Sequence, residues 1–182
     1  SLRMPSVTEL FYSVGGHKAD KHLRPEELSA VETGIKYALN GISAKASVYW
    51  NHHKNLIDWI NDGTLDANGA VLWKSVNFGN INDFGVETAL DFDFQQMFPS
   101  MRTLKKFSLA YNYIHQNKGE QAGIVSQYAL EYLKNKLVAN LQLNLYKHLD
   151  LGIYYRFLHR MGSYPDASNQ RHEYASYGIV DS

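Results

Sequence analysis

The sequence predicts an all-β protein, an antiparallel up-and-down meander of about eight strands. Three observations predict it. Apolar and polar residues alternate with a period of two along several segments, as they do where successive side chains face opposite sides of a sheet. Several of these segments are as long as the roughly 9–11 residues a membrane-crossing strand needs, whereas strands of soluble proteins average about 5–6. The connections between the segments alternate between tight and long.

The elements follow in order. A weak alternation covers residues 6–13. Val31, Thr33, Ile35, Tyr37 and Leu39 form one face of the next strand, and Asn40-Gly41 then gives the strongest short hairpin signal. The chain returns at once through Ile42, Ala44, Ala46, Val48 and Trp50, with Ser43, Lys45, Ser47 and Tyr49 between them. Phe84, Val86, Leu90, Phe92 and Phe94 alternate with Gly85, Glu87, Asp91, Asp93 and Gln95. Phe107 to Ile114 repeats the pattern. Leu137, Ala139, Leu141, Leu143 and Leu145 alternate with Val138, Asn140, Gln142 and Asn144. Leu149 to Leu158 is a further strand, and a weaker one covers residues 171–182. Residues 127–138 have room for a helical turn, but no segment sustains a 3.6-residue period. Asn40-Gly41, Gln96 to Thr103 and Tyr146-Lys147-His148 are the short connections; 61–80, 116–134 and 161–170 are the long ones. A membrane barrel has short turns at one end and long loops at the other, an arrangement a soluble sandwich does not require.

Composition narrows the function classes. Among 182 residues, 18 Lys and Arg balance 18 Asp and Glu, so no strong field gathers nucleic acid. There is no cysteine, which removes disulfide scaffolds and thiol chemistry. Tyr, Phe and Trp make 13% of the chain while mean hydropathy is only −0.37. Rings in a polar chain fit a barrel with a wet interior and an aromatic girdle, and equally a soluble carbohydrate-binding sandwich. No apolar run is long enough for a transmembrane helix, and Ser1-Leu2-Arg3-Met4-Pro5 is not a signal peptide.

Pro5-Ser6-Val7-Thr8-Glu9-Leu10-Phe11-Tyr12, then Leu23-Arg24-Pro25-Glu26-Glu27, then Glu32-Thr33-Gly34-Ile35-Lys36-Tyr37, resemble in order and spacing a stretch of the TonB-dependent outer-membrane receptors. Asn55-Leu56-Ile57-Asp58-Trp59-Ile60 and the returning stretch Asn77 to Glu87 are similar to vitamin B12 (cobalamin) receptors and their relatives. Tyr132-Leu133-Lys134-Asn135-Lys136-Leu137 resembles the start of a late strand in the same family. The resemblance implies that residues 1–182 are a partial β-barrel domain, cut from a transmembrane barrel of about 22 strands. The plug domain and closing strands would lie outside this stretch. It further implies a bacterial outer-membrane location, contact with outer-membrane lipid, and active uptake of a cobalamin- or siderophore-like small molecule held by extracellular loops. TonB would act only through the missing plug region. An isolated piece of such a wall is expected to self-associate through its open edges.

The residues that invite other chemistry have simpler explanations. His52 and His53 are adjacent and point to opposite faces of a strand, so they do not share one metal ion readily. His17 and His22, with Asp20, read as solvated loop residues. Asp91 and Asp93 share a face and would suit an acid/base pair, but lumen-facing strand positions explain them. Gly15-Gly16 lacks the lysine and strand–helix context of a phosphate loop. No enzyme, cofactor or metal site is therefore expected. Trp50 reads as a girdle ring. Beside the long loops, Tyr12, Trp59 and Trp73 are the candidate ligand contacts. The rival to a receptor is a soluble all-β carbohydrate-binding module.

Overall fold

The computed structural model describes residues 1–118, 124–126, 132–147, 149–166, 168 and 170–182. Its elements, in order, are β1 (Leu2–Arg3), α1 (Val7–Phe11), β2 (His17–Lys18), β3 (Glu26–Leu39), β4 (Ile42–Asn61), β5 (Trp73–Asp93), α2 (Phe94–Met97), β6 (Leu104–Lys118), β7 (Val125–Ser126), β8 (Leu133–Tyr146), β9 (Leu149–Arg160), β10 (Ser163–Pro165), β11 (Arg171–Glu173) and β12 (Tyr177–Asp181). A ten-stranded sheet has eight strands in the order β1-β3-β4-β5-β6-β8-β9-β12, with β2 and β7 beside this path, so the long strands pair with their sequence neighbours as a meander requires. Three short strands depart from it. β1 borders β3, β2 pairs with β5 in parallel, and β7 pairs with β4. β10 and β11 form a separate two-stranded sheet.

The Asn40-Gly41 turn forms as its sequence predicts. Both residues have positive φ, 44° and 82°, as a two-residue hairpin turn of the I′ kind demands. A Cβ on Gly41 would sit 2.6 Å from the Asp93 carbonyl oxygen, so glycine is required there twice over. The alternation of tight and long connections also holds. The first long one is shorter than expected because β5 begins at Trp73; His148 of the third tight turn lies outside the described residues.

Other expectations are corrected. Residues 6–13 are not a strand but contain α1, nucleated by a capping box. Ser6 Oγ accepts from the Glu9 N–H, and Glu9 accepts from the Ser6 N–H. The outer strand on that side is therefore β1. Residues 171–182 are two strands, β11 in the small sheet and β12 on the edge of the large one. Of the segment given room for a helical turn, residues 133–138 are strand, and 127–131 lie outside the described residues. β4 and β5 reach 20 and 21 residues, far beyond their alternating stretches.

The chain divides into two compact units. One contains Ser1–Val31, Trp50–Asp83 and Gln116–Tyr132. Its apolar centre is Ile60, Phe78 and Ile81, with Leu56, Val76 and Ile124 packed around them. Arg3 clamps its N-terminal segment, donating to Glu26 at 2.5 and 2.8 Å and to Glu9 at 3.1 Å. Asn77 ties its loops together by accepting from the Arg24 N–H at 2.8 Å and donating to the Arg24 carbonyl at 2.9 Å.

The other unit contains Glu32–Tyr49, Phe84–His115 and Leu133–Ser182. Among the described residues none of its apolar side chains is buried. It is one layer of sheet with two dissimilar faces, read directly from the register. Leu141 is opposite Phe107 on one side and Ile153 on the other, and Leu137 is opposite Tyr111 and Phe157. Asn140 is opposite Ser108 and Tyr154, and Gln142 is opposite Lys106 and Gly152. Directly paired residues project to the same side, so the leucines share an apolar face and the amides a polar one. Ile35, Tyr37, Leu39, Phe84 and Leu90 are exposed large apolar residues of the same unit. Such a face has no place against water.

Candidate ligand-binding site

The unit that holds the apolar centre also holds residues 14–24, the long connection at 61–80 and residues 116–132 of the next one, whereas the long connection at 161–170 belongs to the other unit. Local chemistry brings their rings together. Tyr12 caps the C-terminus of α1, its N–H donating to the Thr8 carbonyl at 3.0 Å. Gly15 and Gly16 follow with φ of 61° and 76°, turning the chain so that the Gly16 carbonyl accepts from the Trp73 N–H at 2.7 Å. β2 then lies beside β5, with His17 opposite Trp73. The His17 ring meets Tyr12 edge-on at 5.6 Å and Trp59 edge-on at 5.2 Å. Its Nδ1–H donates to the Gly15 carbonyl at 3.1 Å.

Tyr12 and Trp59 therefore meet the ring of His17, a residue read from sequence as an ordinary loop histidine, and Trp73 is its partner along the sheet. They differ in exposure. Tyr12 is 45% exposed, Trp73 is half-buried, and Trp59 is only 7% exposed. Beside Trp59 is a feature the sequence did not signal. Asp58 is 1% exposed, and its carboxylate accepts from the Trp59 N–H and from the hydroxyl of Ser126. Ser126 is delivered by β7, whose residues Val125 and Ser126 pair with Asn61 and Ile60. A carboxylate enclosed this way is expensive unless donors satisfy it.

The 62–72 connection is shaped by short acidic staples. Asp62 accepts from Lys74 Nζ at 2.8 Å and from the Thr64 hydroxyl and N–H. The Lys74 ammonium, followed by the Thr64 donors, holds the Asp62 carboxyl well below the usual carboxylate range. Asn61 spans the loop by donating to the Thr64 and Leu72 carbonyls. At the other end of the unit's chain, burial acts to raise the Glu9 carboxyl. Hydrogen bonds from Ser6 and Arg3 outweigh it and leave Glu9 lowered.

The remaining singled-out residues lie elsewhere. His52 is 2.7 Å from the Asn82 side-chain oxygen and His53 is 3.1 Å from Asp83, so the two rings reach separate partners. Trp50 is 44% exposed and stacks on His52 at 5.7 Å. His22 holds its backbone N–H on Asp20. Asp93 caps α2 and faces Lys106 at 3.6 Å. Among the described residues no three His, Asp or Glu side chains gather as a metal site would need.

A family model described as TonB dependent receptor-like, beta-barrel, matches residues 1–182. The chain belongs to the TonB-dependent receptor β-barrel family. Solved structures of similar fold agree. One is the siderophore receptor PirA from Acinetobacter baumannii, at 16% identity over 90% of this chain and 26% of that one, with TM-score 0.60. A mutant of the ferric enterobactin receptor PfeA from Pseudomonas aeruginosa, in complex with enterobactin, has 21% identity over 90% and 24%, with TM-score 0.60. The copper transporter OprC has 16% identity over 99% and 26%, with TM-score 0.67. A comparison with curated proteins found no match. The chain spans about a quarter of the length of the solved structures it resembles.

As part of a TonB-dependent receptor barrel, the protein is of the bacterial outer membrane, and the single-layered unit takes its meaning from that. Backbone groups are satisfied strand to strand, and a face of leucine and aromatic side chains needs no second layer where lipid covers it. A soluble carbohydrate-binding module, with its apolar interior between two sheets, is displaced by the family.

Proposed function

We propose that the protein forms part of the wall and ligand-binding loops of a receptor that imports a scarce nutrient, such as a ferric siderophore or cobalamin. Import would be active and energised through TonB, with no covalent chemistry on the cargo. TonB would engage a part of the receptor outside residues 1–182. The observation that carries this reading is that, within one unit, the His17 ring meets Tyr12 and Trp59 while Trp73 pairs with His17 along the sheet, beside the 61–80 connection. Aromatic side chains offer large contact area at little cost in conformational freedom, and binding hot spots are rich in them. The relatives that support the cargo class carry siderophore, enterobactin and copper in their names. Cobalamin is supported by the stretches around Asn55–Ile60 and Asn77–Glu87.

Exposure assigns different parts to the three rings. Tyr12 and Trp73 present surface to a ligand, while buried Trp59 supports them from behind. In the full-length receptor on cells, Tyr12→Ala and Trp73→Ala should each weaken binding of ferric enterobactin or cobalamin by about tenfold or more, as loss of a hot-spot ring does. Trp59→Ala should instead lower stability by about 3–5 kcal/mol. Unchanged affinity for both cargoes in the first two variants would remove these rings from the site. Uptake that survives loss of TonB would remove active import.

A further inference from the structure

We propose that the lipid-facing side of the single-layered unit carries a binding site for an anionic, phosphate-bearing lipid headgroup, built on Lys134, Asn135 and His159 at the loop end of β8 and β9. The inference rests on membership of the outer-membrane barrel family and not on the import reading. Leu137 to Leu143 extends about 20 Å along β8, most of an apolar band roughly 25 Å tall. Asn135 is the next residue on that face, so it falls where acyl chains give way to headgroups. Its partners across the sheet are Tyr113 on β6 and His159 on β9.

Hydrogen bonds tie this row together. The Tyr111 hydroxyl donates to Asn135 Oδ1 at 2.7 Å, and Asn135 Nδ2 is 3.1 Å from His159 Nδ1. With the amide N–H donating there, the ring's proton is on Nε2, a donor for an oxygen beyond the sheet. The β8–β9 ladder slips at Lys134, between the pairs Leu133–Arg160 and Asn135–His159, so an extra residue, and with it a cation, enters the row. Charge here has one sign. Residues 111–115, 133–137 and 157–160 include His115, Lys134, His159 and Arg160 but no Asp or Glu; Lys136, opposite Asn112 and Leu158, is on the other face. β8 and β9 have strands on both sides, β6 and β12, so the row's neighbours along the sheet are in this chain, and the barrel interior is the opposite face. Cations just past an apolar band suit a lipid whose acyl chains lie on the leucines and whose phosphate lies above them.

The test uses the full-length receptor in detergent micelles, with phosphatidate and phosphatidylcholine of equal chain length as probes and native mass spectrometry to count bound lipid. Phosphatidate should be retained severalfold better than phosphatidylcholine, and inorganic phosphate should not displace it. The Lys134→Gln, His159→Gln double variant should lose that preference. Lys147→Gln, in the tight turn at the other end of β8, should keep it. In the unaltered receptor, phosphatidate should slow acylation of Lys134 severalfold and leave Lys147 unchanged, a readout that needs no variant to fold. Equal retention of the two lipids, an intact preference in the double variant, equal loss in Lys147→Gln, displacement by inorganic phosphate or an unchanged Lys134 rate would each overturn the proposal. So would a Lys134 that is unreactive without lipid until the receptor separates into monomers, because a second copy would then cover the face.

Discussion

Asp58 and Ser126 carry the heaviest local constraint in the loop unit. They are 68 positions apart, and both are buried. Removing the Ser126 hydroxyl leaves a carboxylate in an apolar surround with one donor fewer, a loss on the order of 1–3 kcal/mol. Ser126→Ala should therefore lower the urea midpoint of the full-length receptor in micelles, and an unchanged midpoint would show that the contact contributes nothing. None of this was legible in the sequence. Asp58 occurs inside Leu56-Ile57-Asp58-Trp59-Ile60, where a period-two reading leaves it unremarkable, and its partner lies in a distant loop. Tyr12, Trp59 and Trp73 were legible as large rings beside long loops. That Tyr12 and Trp59 meet at His17, with Trp73 paired beside it, was not, because these contacts and the parallel pairing of β2 with β5 are long-range.

At the level of elements, strands written by alternation were readable and those written by side-chain hydrogen bonds were not. Ile42 to Trp50 alternates cleanly, but β4 continues through His52 and His53, which are held across to Asn82 and Asp83. α1 had a sequence signature in Ser6-Val7-Thr8-Glu9, a capping box that outweighs a faint period of two over so short a stretch. The loops make a prediction of their own. Asp166 is pushed down to about 2 by the His172 hydrogen bond first, then by donors from Ser168 and Gln170; Asp62 is lowered chiefly by Lys74. A carboxyl depressed on folding stabilises above its ordinary pKa of 3.8, and the contribution fades as pH falls through the folded value. Hydrogen exchange at Thr64, Ser168 and Gln170, corrected for intrinsic rate, should stay protected above that ordinary value and lose protection only in stronger acid. Loss of protection already at neutral pH would refute the staples.

At the largest scale, the single-layered unit presents one apolar face, and the outer strands of the large sheet leave backbone unpaired. Between Ser29 and Leu39, β3 has no strand on its outer side among the described residues, and every residue of β12 is exposed. Edges of this kind recruit partners. Residues 1–182 purified alone without detergent should sediment as oligomers at low concentration; a compact monomer would contradict an exposed lipid-facing surface. The most direct test of the account is a spin-label scan of β8 in the full-length receptor in lipid vesicles, one position at a time from Ala139 to Asn144. The register requires a period of two, with labels at Ala139, Leu141 and Leu143 colliding with lipid-soluble oxygen. Those at Asn140, Gln142 and Asn144 would be shielded from lipid. Oxygen accessibility that shows no alternation, or that peaks at the amide positions, would contradict the assignment of this sheet as outer-membrane barrel wall.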